Sequence, residues 1–355
     1  MAPRDPGHFP ERNLLMKRTS ILTAVAMALA LSFAACTGGN WGDDGGGTGG
    51  GTGGGLGVYV AGRTRLSLSG PRHATLWKDG IRQALDSSDS HSEACSVYVS
   101  GGDVYVAGWR GDRAVLWKNG IRQTLASSGL SAAWSVFVSG NDVYVAGEDG
   151  SNGRHDGRAV LWKNGVRQEL ASGGGESTAW SVFVSGGDVY VAGVDGILTD
   201  AYDDGHAVLW KNGVRQELAS GGGYSAAWSV FVSGNDVYVA GECGDSAVLW
   251  KNGDRQDLAA SSLAESVYVS GGNVYVAGYR SVNYDTTPML WKNGVSQDIG
   301  NASGQAWSVY ASGSDVYVAG CRGNSYNAVL WKNGVRQDLD SGNNYSLAYS
   351  VFVAK

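Results

Sequence analysis

The sequence predicts an all-β fold in which seven four-stranded units close into a ring, a seven-bladed β-propeller. Three observations predict it. Val-Tyr-Val-Ala-Gly begins at Val58, Val104, Val143, Val189, Val237, Val274 and Val316. Leu-Trp-Lys recurs with the same count, its Trp at 77, 117, 162, 210, 250, 291 and 331. The first unit lacks the Ser-Val-aromatic segment that opens the others, and the chain ends on that segment, Ser350-Val351-Phe352-Val353, with no unit after it. Joining the two ends completes the last blade and removes an open sheet edge.

The third unit shows how each strand follows from its residues. The first strand is predicted at Ser135–Ser139 and the second at Asp142–Ala146, with Gly140-Asn141 between them. Both are apolar on both faces, as expected for strands packed on two sides. After a variable loop comes the third strand, Ala159–Lys163; Asn164-Gly165 then forms a hairpin turn, because both residues tolerate the positive φ of a type I′ turn. The fourth strand, Val166–Leu170, alternates Val, Gln and Leu with Arg and Glu, so one face is expected to be wet. The first strand therefore belongs near the axis and the fourth at the rim. The recurrent Gln (83, 123, 168, 216, 256, 297, 337) is expected on the packed face of the outer strand, the Trp of Leu-Trp-Lys between blades, and the recurrent Asp (103, 142, 188, 236, 315) in tight turns.

This closure resembles that of WD-repeat and kelch propellers. The motifs match neither family: there is no Gly-His…Trp-Asp pair, no kelch Gly-Gly doublet beside a spaced Tyr and Trp, and no sialidase-type Asp box.

The chain ahead of the repeats divides into three parts. Residues 1–15 carry Pro, Asp and Glu, fit no export signal, and read as an upstream mis-start, with Met16 the start. Residues 16–35 have a basic Met16-Lys17-Arg18 and an apolar run from Ile21 to Ala35, too short to span a bilayer comfortably. The segment ends Leu31-Ser32-Phe33-Ala34-Ala35-Cys36, which resembles the lipobox of bacterial lipoproteins, with Phe33 where that family prefers Leu. The resemblance implies acyl chains on Cys36 and hence a membrane partner through a lipid anchor. Thr37 is not the Asp that retains many lipoproteins at the inner membrane, so the implied address is the outer membrane or cell surface. Residues 36–55 form the lipidated Cys and a Gly-rich tether, and residues 56–355 the propeller.

The formal charge of −6 becomes −8 without residues 1–36, and no basic face is apparent, which argues against a nucleic-acid partner. Cys95, Cys243 and Cys321 are odd in number and occupy no common repeat position, which argues against a disulfide framework. No cofactor signature is present, and a monomer is expected.

In a meander the links alternate between the two ends of each blade. The first-to-second and third-to-fourth links are short and nearly invariant; the second-to-third links and the connections between blades vary, so all the variation falls on one face of the disc. Ligand-binding loops on a rigid scaffold have this distribution. Candidate ligand-binding residues are Trp109, Arg110 and Asp112 in the second unit and His155 and Asp156 in the third. The fourth unit adds Tyr202, Asp204 and His206, the sixth Tyr279, Arg280 and Tyr284, and the seventh Arg322 and Tyr326. Trp134, Trp180, Trp228 and Trp307 enter the innermost strand from the same face and are candidates to ring the axial opening. Trp, Tyr, Arg and Asp together suit sugars or protein surfaces.

Arg110-Gly111-Asp112 is the tripeptide of integrin ligands, a match short enough to arise by chance. Asp195, Asp200, Asp203 and Asp204 are weak Ca²⁺ candidates, because the EF-hand spacing is absent. His155 with Asp156, or His206 with Asp204, has no visible nucleophile, and no catalytic residue is assigned. Val160–Gly175 and Val208–Gly223 are identical, a sign of recent duplication. The leading expectation is a surface-anchored, adhesin-like binding module for a glycan or protein ligand. The alternatives are an envelope scaffold and a propeller-type glycan hydrolase or lyase.

Overall fold

A computed structural model describes residues 56–354 except 66, 68–69, 89, 127–128, 151–156, 198–204, 219–221, 284, 301–302, 324–325 and 341–344. Its strands form seven four-stranded antiparallel sheets, the blades of a β-propeller. Blade 1 runs, from the axis outward, Tyr345–Ala354, Gly57–Arg65, His73–Lys78 and Ile81–Ala84, so the last strand of the chain pairs with the first. Val58 faces Val353 and Val60 faces Val351 across this join. The first strands of blades 2 to 7 are Ser92–Ser100, Ser131–Ser139, Glu176–Ser185, Ser225–Ser233, Ser262–Ser270 and Gly304–Ser312.

The Leu-Trp-Lys indoles hold the blades together. Each is 0–2% exposed. Trp162 of blade 3 packs with Val136, Val145 and Val160 of its own blade against Tyr105, Ala107 and Leu116 of blade 2. The same pairing of faces recurs at every junction, including Trp77 and Val351 of blade 1 against Tyr317 and Leu330 of blade 7. Burying one indole removes roughly 150–250 Å² from water, about 4–6 kcal/mol before entropy is counted.

The glycine of Val-Tyr-Val-Ala-Gly makes room for this packing. A Cβ on Gly241 would lie 2.0 Å from the Ala226 carbonyl oxygen and 2.7 Å from the Trp250 ring. The hairpins are as expected: Asn164 has φ 53° and Gly165 φ 80°, and the equivalent pairs match them.

The recurrent Asp stitches that face of the disc. Asp142 Oδ1 accepts from Asn164 Nδ2 at 2.7 Å, Lys163 Nζ lies 2.8 Å from Asp142 Oδ2, and the ammonium sits 5.2 Å from the Tyr144 ring centre. The Lys163 hydrogen bond, then that of Asn164, holds the Asp142 carboxyl below the usual carboxylate range.

Two expectations are corrected. The outermost strand is not packed on one face: Val166 is 72% exposed, and Gln123, Gln168, Gln216, Gln256, Gln297 and Gln337 are exposed, with Gln83 half-buried. Only the following residue, such as Leu170 at 3% exposure, reaches the core. The first strand also starts earlier than its apolar pattern, at Ser131 and not Ser135, which changes the place of the axial tryptophans.

Candidate functional site: the axial channel and its mouth

Each first strand carries one extra residue where its register against the second strand shifts between the residues on either side of it. The extra residues, in blade order, are Tyr349, Cys95, Trp134, Trp180, Trp228, Glu265 and Trp307. All seven are half-buried and sit at one level around the axis. The four axial tryptophans are thus strand residues placed by a bulge, not loop residues.

Neighbouring rings in this array meet in tilted pairs. Trp134–Trp180 and Trp180–Trp228 centroids are 5.0 Å apart at interplanar angles of 44° and 50°, and Trp307–Tyr349 are 5.3 Å apart at 41°. A sevenfold rotation is about 51°, so these angles are close to what the symmetry of a propeller imposes. At such spacing the rings cannot lie side by side tangentially without overlap. They fan about the axis, faces toward neighbours and edges toward the lumen. Glu265 and Cys95 are the two positions where the fan has no aromatic.

Below this level, three residues or about 10 Å further along each strand, lies a closed aromatic ring. It comprises Tyr98, Phe137, Phe183, Phe231, Tyr268, Tyr310 and Phe352, with adjacent centroids 4.5–5.0 Å apart. It narrows the channel on the side of the invariant turns. Burial, then the hydrogen bond with Tyr310, holds the Tyr268 hydroxyl far above its ordinary range. The level of the bulges is therefore the part of the channel that opens to the variable face.

A shell of non-repeating residues surrounds it. The position after the Val-Tyr-Val-Ala-Gly glycine is Arg63, Trp109, Glu148, Val194, Glu242, Tyr279 and Cys321 in turn. Arg63 Nη1 donates to Glu93 Oε1 at 2.9 Å and Arg72 Nη1 to the same oxygen at 2.6 Å. The Arg72 guanidinium lies 5.0 Å from the Trp109 ring centre. Burial disfavours the Arg63 cation, but Glu93, together with Tyr349, Tyr326 and Cys321, outweighs that and its pKa stands raised. Thr178 Oγ1 donates to Glu148 Oε2 at 2.8 Å; burial nonetheless pushes the Glu148 carboxyl up to about 7. Burial, then the charge of Glu242, pushes Glu265 up to about 8. Burial, then Glu242 and Glu265, raises Tyr224 well above its ordinary range.

The loop candidates divide. Trp109 and Tyr279 are 4% exposed and belong to the interior, so neither ring faces the surface. Arg110 is pinned, its Nε 2.5 Å from Asp86 Oδ2 and its Nη2 donating to Ser88 Oγ at 3.0 Å. The Arg-Gly-Asp tripeptide therefore presents only Asp112 as an exposed charge. Arg280 and Tyr326 are exposed, and Arg322 pairs with Asp338. His206 Nδ1 lies 3.5 Å from Glu217.

Asp195 is fully buried and accepts from Ser172 Oγ, Gly173 N and Arg215 Nε, so its lone pairs are taken by the protein. Among the described residues no group of three metal-ligating side chains gathers. His155, Asp156, Asp200, Tyr202, Asp203, Asp204, Tyr284 and Cys36 lie outside the described residues. Cys243 ends its strand, Cys321 lies one residue from the end of its own, and Cys95, Cys243 and Cys321 are free thiols. Burial pushes the Cys243 thiol to about 11 and the Cys321 thiol to about 12. Sequence reasoning missed Tyr349, Glu265 and Cys95 as members of the axial array, although each directly precedes the Ser of Ser-Val-aromatic, as the four tryptophans do.

No protein-family model matches the chain, and no curated protein does. Solved structures share the fold. A Mycobacterium tuberculosis puromycin-hydrolyzing peptidase superposes with a TM-score of 0.52 at 12% identity over 79% of this chain and 53% of that one. This chain thus spans about half the length of that peptidase. A putative 6-phosphogluconolactonase from Bacteroides uniformis gives a TM-score of 0.47 at 12% identity, covering 84% and 99% of the two chains. Likeness at this identity concerns the propeller fold alone.

Proposed function

We propose that this protein is a lipid-anchored binding module of the bacterial cell surface, tethered through Cys36 and engaging a glycan or protein ligand with the variable face of its propeller. One observation carries the reading. The two faces of the disc share one scaffold but differ in kind. One repeats the Asp–Asn–Lys cluster, as at Asp103, Asn119 and Lys118. The other carries loops that differ from blade to blade, with Asp112, Arg280 and Tyr326 exposed, over a shell in which Arg63, Trp109, Glu148, Glu242 and Cys321 share one equivalent strand position. Structural need alone makes equivalent positions alike, as it does with the seven indoles. Chemistry that differs blade by blade is what recognition of an asymmetric ligand requires.

The lipid anchor rests on the resemblance of residues 31–36 to a lipobox. Labelled palmitate should enter the protein and not its Cys36→Ala variant; equal labelling of both defeats the anchor. Binding is tested with a glycan array and pull-down using the mature chain. Substitutions at the exposed Asp112, Arg280 and Tyr326 should weaken capture, while Lys118→Ala on the opposite face should not. Surface proteolysis of intact cells separates this reading from an envelope scaffold, which predicts a protected head.

A further inference from the structure

We propose that the gap at Glu265 is a binding site for an organic ammonium ion, entered along the axis from the variable face. This rests on the reading of that face as the binding face and names the ligand chemistry at its centre.

Trp228 and Trp307 flank Glu265 in the bulge array, one blade on either side. Trp228 meets Trp180 in a tilted pair with centroids 5.0 Å apart, and Trp307 meets Tyr349 likewise at 5.3 Å. In the fan, the side of each ring away from that partner is the side toward blade 6. With neighbours 5.0 Å apart in a sevenfold fan, positions two steps apart stand about 9 Å from each other. A cation midway lies about 4.5 Å from each ring centre, inside the ~6 Å within which the negative face of an aromatic ring attracts it. Two indole faces and one carboxyl converge there, and a glutamate side chain leaves space that an indole fills in the neighbouring blades.

The other gap in the fan argues the same point by contrast. Cys95 lies between Tyr349 and Trp134, but burial, then the nearby Glu93, holds its thiol neutral, and that Glu93 carboxylate is already paired with the guanidiniums of Arg63 and Arg72. An aromatic gap with a neutral thiol and a neighbouring guanidinium does not attract a cation; one with a carboxyl does. The second-level aromatic ring stops a ligand from passing through, so the Glu265 gap is the floor of a one-ended well.

The groups that face Glu265 are Glu242, from the second strand of blade 5, and Tyr224, from the segment leading into that blade. Burial, then the charge of Glu242, raises the cost of ionising Glu265, whose carboxyl stands at about 8 in the free protein. A bound cation favours the carboxylate, so binding near pH 7 releases a proton from Glu265 to solvent. Affinity then rises about tenfold per pH unit up to roughly pH 8 and levels off above it.

The test titrates tetramethylammonium into the full chain, followed by tryptophan fluorescence and by calorimetry in buffers of different ionisation enthalpy. Saturable binding with proton release between pH 6 and 8 is expected. Glu265→Gln should weaken binding at pH 8 at least tenfold and flatten its pH dependence. Trp228→Phe, which keeps an aromatic face, should weaken it less than Trp228→Ala. A neutral isostere, 3,3-dimethylbutan-1-ol, should not compete. Glu265→Gln retains a side chain of the same shape, so its fold is expected to survive, with circular dichroism as the check. No saturable binding, equal binding of the neutral isostere, or an unchanged affinity and pH slope in Glu265→Gln overturns the inference. Glycan or protein capture that persists in such a case leaves the broader binding function standing.

Discussion

The backbone N–H of Val97 donates to Ser350 Oγ at 3.2 Å, across 253 residues of sequence. It is one of seven such bonds, from Val136 to Ser96, Val182 to Ser135, Val230 to Ser181, Val267 to Ser229, Val309 to Ser266 and Val351 to Ser308. Each carries a first strand onto the first strand of the blade before it. The set closes on itself, so the junction between the two ends of the chain is bonded like every other. Ser350→Ala should cost about 1–2 kcal/mol, because the Val97 N–H loses its acceptor in a largely dry interface. Ser181→Ala should cost the same in denaturant titrations. A much smaller effect at Ser350 would mean that the ring is open in solution.

Glycines in two roles should respond differently to Ala. Gly241→Ala drives a methyl into the Ala226 carbonyl and the Trp250 ring and should cost more than about 3 kcal/mol. Gly234 has φ 60° with open space around its missing Cβ, so Gly234→Ala should cost about 1 kcal/mol, all of it backbone strain. Melting temperatures of the two variants check the ordering.

Stability should fall with rising pH between about 4.5 and 8. The folded pKa values of Glu148 and Glu265 stand near 7 and 8, above those of the unfolded chain. In that window the folded state holds protons that the unfolded state has already lost, so raising the pH favours unfolding. The loss should amount to several kcal/mol, about 1.4 kcal/mol for each pH unit by which a carboxyl is raised, and the double variant Glu148→Gln/Glu265→Gln should largely remove it. A flat stability profile for the native protein from pH 5 to 8.5 would show that both carboxyls ionise freely.

The outer strand should tolerate change. Gln168→Ala and Val166→Thr alter exposed side chains and should shift stability by less than about 0.5 kcal/mol. Trp210→Ala, in an indole that is fully buried and donates from Nε1 to the Ala171 carbonyl at 2.6 Å, should cost about 3–5 kcal/mol. Thermal unfolding of the three variants would reveal any packed role for the rim.

The amino-acid sequence by itself determined the number of blades, the order of strands, the closure by Ser350–Val353 and the face on which variation collects. These follow from local rules: alternation, Asn-Gly turn chemistry and the alternating ends of a meander. Which side chains meet was decided only by the tertiary structure. Trp134 and Ser135 look like a loop-to-strand boundary because the extra residue of a bulge breaks the alternation that marks a strand. Ring closure then sets Trp134 against Trp180, and leaves Glu265 between Trp228 and Trp307. Trp109 reads as a loop aromatic, yet its strand extends to Arg110 and buries it. The recurrent Gln reads as packed from alternation, yet at the rim it stays largely exposed and only its amide reaches the hairpin glycine of the next blade, as Gln123 does Gly165. Bulge register and blade-to-blade contact arise between strands far apart in the chain, where no local pattern reaches.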